Sequence, residues 1–536
     1  MARTHTGTGG PGAPEIPRGL LPVVLLALAT VVSAVASLNV ALPEIARDTR
    51  ASQTELQWIV DAYALTFAAL LLPFGALGDR YGRRLGLLAG LAIFGAGSLA
   101  AMFVDDATSL IALRAVLGVG AALVMPATLS ILTVAFDAEH RDRAVALWAG
   151  VAGASAVLGL IAAGTLLEFG SWQTVFGLNV VLATAAGIGV AARVRESRAP
   201  EEARLDPVGA VLSAVSVALI VAAVIEGPER GWTDAVVLGG FGLGALGIVT
   251  FCLWELRRRW PLLDPRIFRA PGVTGGSLSL MLQFFAFFGW IFIALQYLQL
   301  VLGWSPLVAA LALAPMGMAV MGSSRASAHL VERVGARKVA PAGLVVMAVG
   351  LFLLSLLDVD STYWLVLAGI VLTGWGVGLA TTPATTAIVE GLPREKQGVA
   401  SALNDLTREL GAALGIAVLG SLLTDRYVSS ISDQAAGLPG PAADAASTSL
   451  GAALQVAERV PGGERLAAAA ERAFVDGMGL ALTTASIVVL LTAVLVGALL
   501  RRSKLAERER AGRTGERLAP DAGRAARTTE SAGRLG

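Results

Sequence analysis

Charged and Pro/Gly-rich punctuation divides the chain into a series of long apolar runs: residues 20–43, 56–78, 85–104, 109–135, 143–167, 172–192, 208–226, 235–255, 273–301, 306–330, 339–357, 362–389, 400–424 and 479–500. At a rise of about 1.5 Å per residue each run is long enough to cross a hydrocarbon layer about 30 Å thick. Lipid gives backbone N–H and C=O groups no partner outside a helix or a closed barrel, and none of the runs alternates as barrel strands do. The pattern therefore predicts an all-α, polytopic membrane protein with fourteen transmembrane helices.

Arginine and lysine set the expected orientation. Arg80, Arg83 and Arg84 follow the second run, and Arg333, Arg337 and Lys338 follow the tenth. After odd-numbered runs, the last loop aside, only Arg47, Arg50 and Arg230 occur. Both termini are thus expected in the cytoplasm of a cell that keeps this chain in its inner or plasma membrane. The long loop at 425–478 is expected outside, its stretch 452–475 forming a helix on the membrane surface. Residues 1–18 and 501–536 are polar enough to predict disordered tails.

Composition narrows the function. Of the 536 residues 55% are hydrophobic and 15% charged, against about 25% charged in a soluble domain. A net charge of +1 with no basic stripe excludes a nucleic-acid footprint. The single cysteine, Cys252, and three histidines exclude an intramolecular disulfide and a dense metal site, so neither metal nor cofactor is expected. No phosphate-cradling G-x-x-x-x-G-K-[ST] loop and no catalytic cluster occur. Transport would then draw on an ion gradient.

A motif recurs. Asp79-Arg80-Tyr81-Gly82-Arg83-Arg84 follows the second run, and Glu332-Arg333-Val334-Gly335-Ala336-Arg337-Lys338 follows the tenth. The repeat implies two six-helix lobes, residues 19–192 and 272–500, that rock about a shared site. Runs seven and eight, in the linker 193–271, are an extra central pair. Gly75, Gly78, Asp79, Arg80, Gly82, Arg83 and Arg84, echoed by Glu332, Arg333 and Gly335, form a candidate latch between lobes. The plainer reading is a positive-inside anchor.

Ionisable groups at lipid depth are candidates for function. Asp61 and Arg114 lie at similar depth, each about five residues into its run from the outer side. Asp61 is the expected proton carrier and Arg114 its partner; the alternative is that Asp61 rests in the wet interface near Trp58 and Tyr63. In the thirteenth run Asp405 and Arg408 are spaced to pair with each other, and Glu409 either shares that helix-end cluster or adds to the proton path. The ninth run carries Phe284, Phe288, Trp290, Gln296, Tyr297 and Gln299, a set suited to gripping flat apolar molecules by stacking and a few hydrogen bonds.

The segment from Gly75 to Arg84 matches G-x-L-x-D-R-x-G-R-[RK] at every fixed position and resembles the loop signature of the major facilitator superfamily. Asn39-Val40-Ala41-Leu42-Pro43, Gln57-Trp58-Ile59-Val60-Asp61-Ala62-Tyr63, Arg114, Gly303-Trp304-Ser305-Pro306 and Arg408-Glu409-Leu410-Gly411 are similar to the fourteen-span drug/proton antiporter family. The resemblance implies a monomeric secondary transporter that exports amphipathic or cationic drug-like or antibiotic molecules in exchange for protons. It also implies that Asn39, Tyr63 and the ninth helix line the substrate cavity. The chain departs from the family at Ala34, where an acid is usual, at Leu160, where a proline is usual, and at Gln173, within the altered Trp-Arg-Trp. Those departures leave open an importer or uniporter of another small solute. A reading from a different class is a non-transporting membrane sensor or scaffold.

Overall fold

A computed structural model of the chain describes residues 19–136, 138–198, 206–259, 261–391, 397–435, 440–461 and 463–531. The tail 1–18 lies outside them, as do Arg394, Lys396 and part of the long loop. Among the described residues there are helices and no strand.

The first six helices are α1 (Leu20–Thr49), α2 (Gln53–Tyr81), α3 (Arg83–Ala101), α4 (Ala107–Ala135), α5 (Ala138–Phe169) and α6 (Gln173–Arg193). An antiparallel pair follows, α7 (Pro207–Arg230) and α8 (Ala235–Arg257). Then come α9 (Pro271–Gln296), extended by a π turn at Tyr297–Val301, α10 (Pro306–Val334), α11 (Ala336–Leu354) and α12 (Tyr363–Glu390). The last part holds α13 (Gln397–Ala435), two short helices α14 (Gly440–Thr448) and α15 (Leu450–Ala457), and α16 (Gly463–Ser531). Among the described residues twelve helices are long and apolar enough to cross a membrane. Beyond these, α2 is 29 residues long, and α5 carries the shorter apolar stretch Ala154–Phe169.

Helix starts are written locally. Ser52 and Glu55 close a capping box on α2, the serine oxygen accepting from Glu55 N–H and the glutamate from Ser52 N–H. That satisfies donors that would otherwise be orphaned at the helix end. Ser305 caps α10 ahead of Pro306, whose missing N–H costs nothing in the first turn.

Packing repeats itself. In the first group α1 lies on α5 and α6, α2 on α4, and α3 on α4 and α6. In the second, α9 lies on α13 and α16, α10 on α12, and α11 on α12 and α16. The same contact recurs in detail. A Cβ at Gly120 of α4 would lie 2.8 Å from Gly90 O of α3, and one at Gly376 of α12 would lie 2.6 Å from Gly343 O of α11. Small residues allow this approach where lipid supplies no hydrophobic drive. The two groups meet through α2 against α13 and α5 against α10. The extra helix α7 lies against the first of these joins, touching both α2 and α13, and α8 packs on α7.

One expectation needs correcting. The stretch 452–475 is not one surface helix: α15 ends at Ala457, and from Gly463 the chain already belongs to α16. Ala470, Ala473 and Phe474 are buried there, because that first part of α16 offers apolar residues to α13 and α15. The helix α16 is continuous from Gly463 to Ser531.

Candidate functional site

The repeated motif folds into the same turn twice. Gly82 closes α2 at φ 137° and donates its N–H to Gly78 O at 2.9 Å, and α3 begins at the next residue. Gly335 closes α10 at φ 86°, donates to Val331 O at 2.9 Å, and α11 follows at once. Both backbones occupy the positive-φ region that glycine enters without strain. Gly75 packs on Pro126 of α4, and Gly78 and Gly86 lie close together across the turn. Arg83 N–H donates to Ser197 O, and Arg84 Nη2 to Ala191 O, so the turn is tied to the end of α6. Arg80 stacks against Tyr81, 5.5 Å from its ring centroid. Glu332 and Arg333 are exposed on the last turn of α10. The side chain of Asp79 lies outside the described residues.

Arg114, in α4, is fully buried. Its Nε donates to Ile59 O at 2.9 Å and its guanidinium lies 4.4 Å from the centre of the Tyr63 ring, a cation–π contact strengthened by the absence of water. The expected pair with Asp61 is not made. Both Asp61 oxygens are buried without a hydrogen-bond partner among the described residues, and so is Nη2 of Arg114.

Helical register explains the separation. Tyr63 and Phe67 face α4, where a Cβ at Gly118 would lie 2.6 Å from Tyr63 O and 3.2 Å from Phe67 N. Asp61, two residues from Ile59 and from Tyr63, points roughly 200° away around a 3.6-residue turn. It belongs to the stripe Gln57, Asp61, Leu65. Gln57 Nε2 donates to Thr424 Oγ1 at 3.3 Å and its Oε1 accepts from Ser421 Oγ at 3.4 Å, both on α13. Leu65 packs with Ala417 of α13 and Val221 of α7. Asp61 therefore lies on the face of α2 that meets the second group. From that group α13 also carries Glu409, whose carboxyl group lies within electrostatic reach of the Tyr63 hydroxyl.

The residues expected in a cavity divide into two sets. Tyr297 and Gln299 hold the frame together: Tyr297 Oη donates to Asp358 O at 2.8 Å, and Gln299 Nε2 to Val40 O at 3.0 Å, joining the π turn to α1. Gln296 Nε2 is occupied by Phe292 O of its own helix. The second set keeps polar atoms without a hydrogen bond: Asn39 Oδ1, Tyr63 Oη and Trp290 Nε1 are buried without partners among the described residues. Buried polar atoms are nearly always bonded to protein or water. Phe284 and Phe288 stack with centroids 5.9 Å apart, and the Arg408 guanidinium lies 4.5 Å from the Phe284 ring centre.

Residues 24–416 match the Major Facilitator Superfamily. The chain belongs to that superfamily. Among similar proteins are the multidrug efflux pump LfrA of Mycolicibacterium smegmatis, 37% identical over 90% of this chain and 95% of its own length, and the methyl viologen resistance protein SmvA of Salmonella typhimurium, 33% identical over 89% and 96%. The tetracenomycin C resistance and export protein of Streptomyces glaucescens is 32% identical over 88% and 89%. A solved bacterial homolog of the human lysosomal transporter Spinster, inward-facing and unoccupied, shares the fold with a TM-score of 0.62 at 18% identity, covering 91% of this chain and 98% of its own. As a superfamily member the chain is a multi-pass membrane transporter of small molecules, not an enzyme.

One residue of the superfamily turn escaped the sequence reading. Glu196, just past α6, accepts from the N–H groups of Arg84 at 3.0 Å and Leu85 at 3.1 Å, capping α3 with a carboxylate. A Cβ at Gly82 would lie 2.6 Å from the Glu196 carboxyl carbon, so Gly82 serves the turn and the cap together. The available signal was a lone acid among Arg193, Arg195 and Arg198; its target is 112 residues away.

Proposed function

We propose that this chain exports amphipathic or cationic drug-like or antibiotic molecules in exchange for protons, crossing the membrane fourteen times with both termini in the cytoplasm. The lobes 19–192 and 272–500 rock about a shared site, and the transporter works as a monomer. Asp61 carries the proton, Arg114 with Tyr63 forms a fixed positive counterpart, and Glu409 joins them from the opposite lobe. Asn39, Tyr63, Phe284, Phe288 and Trp290 receive the substrate, with Gln296, Tyr297 and Gln299 holding their frame. The repeated glycine turns act as the latch.

The observation that carries this reading is the unpartnered carboxylate of Asp61, buried on the face where two pseudo-repeated groups meet. An uncompensated charge at lipid depth costs about 2.5–3.5 kcal/mol, so this join favours a protonated Asp61 and couples proton uptake to the approach of the groups. The hydrogen bonds of Gln57 to α13 and of Gln299 to α1 sit far from the glycine turns. They fasten the groups on the side away from the glycine turns, which in the proposed orientation is the outer rim. Export of toxic compounds is supported by relatives named for multidrug efflux, methyl viologen resistance and tetracenomycin C export. In everted vesicles holding an imposed pH gradient, ethidium is expected to discharge the gradient in proportion to its own uptake. A gradient indifferent to ethidium and to a panel of cationic antiseptics would overturn proton-coupled export.

A further inference from the structure

On the inner half of the join between α2 and α13 the two helices do not close. They leave a cavity of about 200 Å³, walled on the other side by α7 and α8 and floored by the linker after α8. Ala69, Val217, Phe251, Cys252, Leu263 and Leu410 are among its apolar walls. Ile248, Cys252 and Glu255 form one stripe along α8, so Glu255 lies one turn below the lining residue Cys252, on the same face.

Glu255 is 1% exposed, and among the described residues both of its oxygens are buried without a hydrogen bond of good geometry. The N–H groups of Leu262 and Leu263, two residues that also line the cavity, are the nearest donors. The acid is seated in a built place: a Cβ at Gly209, in the first turn of α7, would lie 2.2 Å from Glu255 Oε1. Its acidic neighbour Asp206 is already served. Asp206 caps α7, accepts from Trp254 Nε1 at 2.9 Å, and has Arg258 Nε at 3.7 Å. Arg258 in turn lies flat on Trp254, 4.0 Å from the ring centre. With Arg258 matched to Asp206 and only within longer electrostatic reach of Glu255, the Glu255 carboxylate makes no ion pair among the described residues and lies beside the chamber wall formed by Cys252, Leu262 and Leu263.

We propose that this chamber is a second binding site, for a small amphipathic cation whose charged head rests on Glu255 and whose apolar body fills the space between α2, α7, α8 and α13. The complementarity is specific. Apolar walls alone would suit a lipid chain, whereas a buried acid lacking a partner is stable only when protonated or paired. The site is separate from the Asp61 and Arg114 region and does not rest on the export reading, since it concerns binding and not flux.

Cys252, the sole thiol of the chain, lines the chamber and reports on it directly. The full-length protein in lipid nanodiscs is treated with N-ethylmaleimide, and alkylation of Cys252 is timed by mass spectrometry. Benzyltrimethylammonium and its uncharged isostere neopentylbenzene are the probes. Saturating benzyltrimethylammonium is expected to slow alkylation about tenfold, and Glu255→Gln to remove that protection, which corresponds to about 1.4 kcal/mol of charge recognition. Neopentylbenzene is expected to protect far less. Equal protection by the two probes would make the chamber a lipid pocket and overturn the proposal, as would protection that survives in Glu255→Gln or is missing altogether. Should Glu255→Gln fail to fold, Ala214→Leu narrows the chamber from α7 with the acid intact and is expected to weaken protection by the cation. Full protection there would also count against the site.

Discussion

Asp61 and Gly82 carry the sharpest consequences of single side chains. The Asp61 carboxylate has no hydrogen-bond partner to lose among the described residues, so Asp61→Asn should leave the fold intact and its thermal midpoint unchanged or higher. Proton-coupled efflux should fall at least about tenfold, a loss of about 1.4 kcal/mol or more in coupling. Paired measurements of melting and of vesicle efflux check this, and intact coupling in the variant would remove Asp61 from the proton path. At the repeated turns, Gly82→Ala meets a positive φ and a Cβ 2.6 Å from the Glu196 carboxyl, whereas Gly335→Ala meets the positive φ with open space around it. Backbone strain of this kind costs about 1–3 kcal/mol. Thermal denaturation in detergent should therefore rank Gly82→Ala as clearly the more damaging of the two, and equal midpoints would contradict the packing described.

Between elements, Glu196 joins the linker after α6 to the first turn of α3. Glu196→Ala removes a carboxylate from a helix N-terminus, worth about 1 kcal/mol. Hydrogen exchange at the Arg84 and Leu85 amides should speed up about fivefold for that energy; unchanged exchange would show that water replaces the cap without loss. Where a span is bounded closely by polar residues, its helix limits were readable in the sequence because lipid forces apolar runs to be helical. The run expected at 172–192 is α6 at Gln173–Arg193, and that at 362–389 is α12 at Tyr363–Glu390. The rotation of a helix about its axis was not readable. Asp61 and Arg114 were matched in depth, but a run that is apolar nearly all round does not say which face of α2 takes α4 and which takes α13. The same gap hid Glu196, whose role depends on where the end of α6 falls beside α3. The motif glycines were legible because a turn between two spans, flanked by arginines, has few other solutions.

For the whole molecule, the internal repeat in sequence becomes a repeat in packing, with α1, α2, α3, α4, α5 and α6 answered by α9, α10, α11, α12, α13 and α16. The joins between groups are equivalent too, α2 on α13 and α5 on α10, and α7 stands beside the first. Such an arrangement has two ways to close, one at each rim, and the present one is fastened on the side away from the glycine turns. The most direct measurement locks it there. A Cβ at Gly164 of α5 would lie 3.2 Å from the Ala310 Cβ of α10, within a small shift of disulfide spacing, about 3.5–4.5 Å. In a Cys252→Ser background, Gly164→Cys with Ala310→Cys should cross-link on oxidation and stop efflux completely, and reductant should restore it. Undiminished efflux with the cross-link fully formed would contradict movement of the two groups against one another.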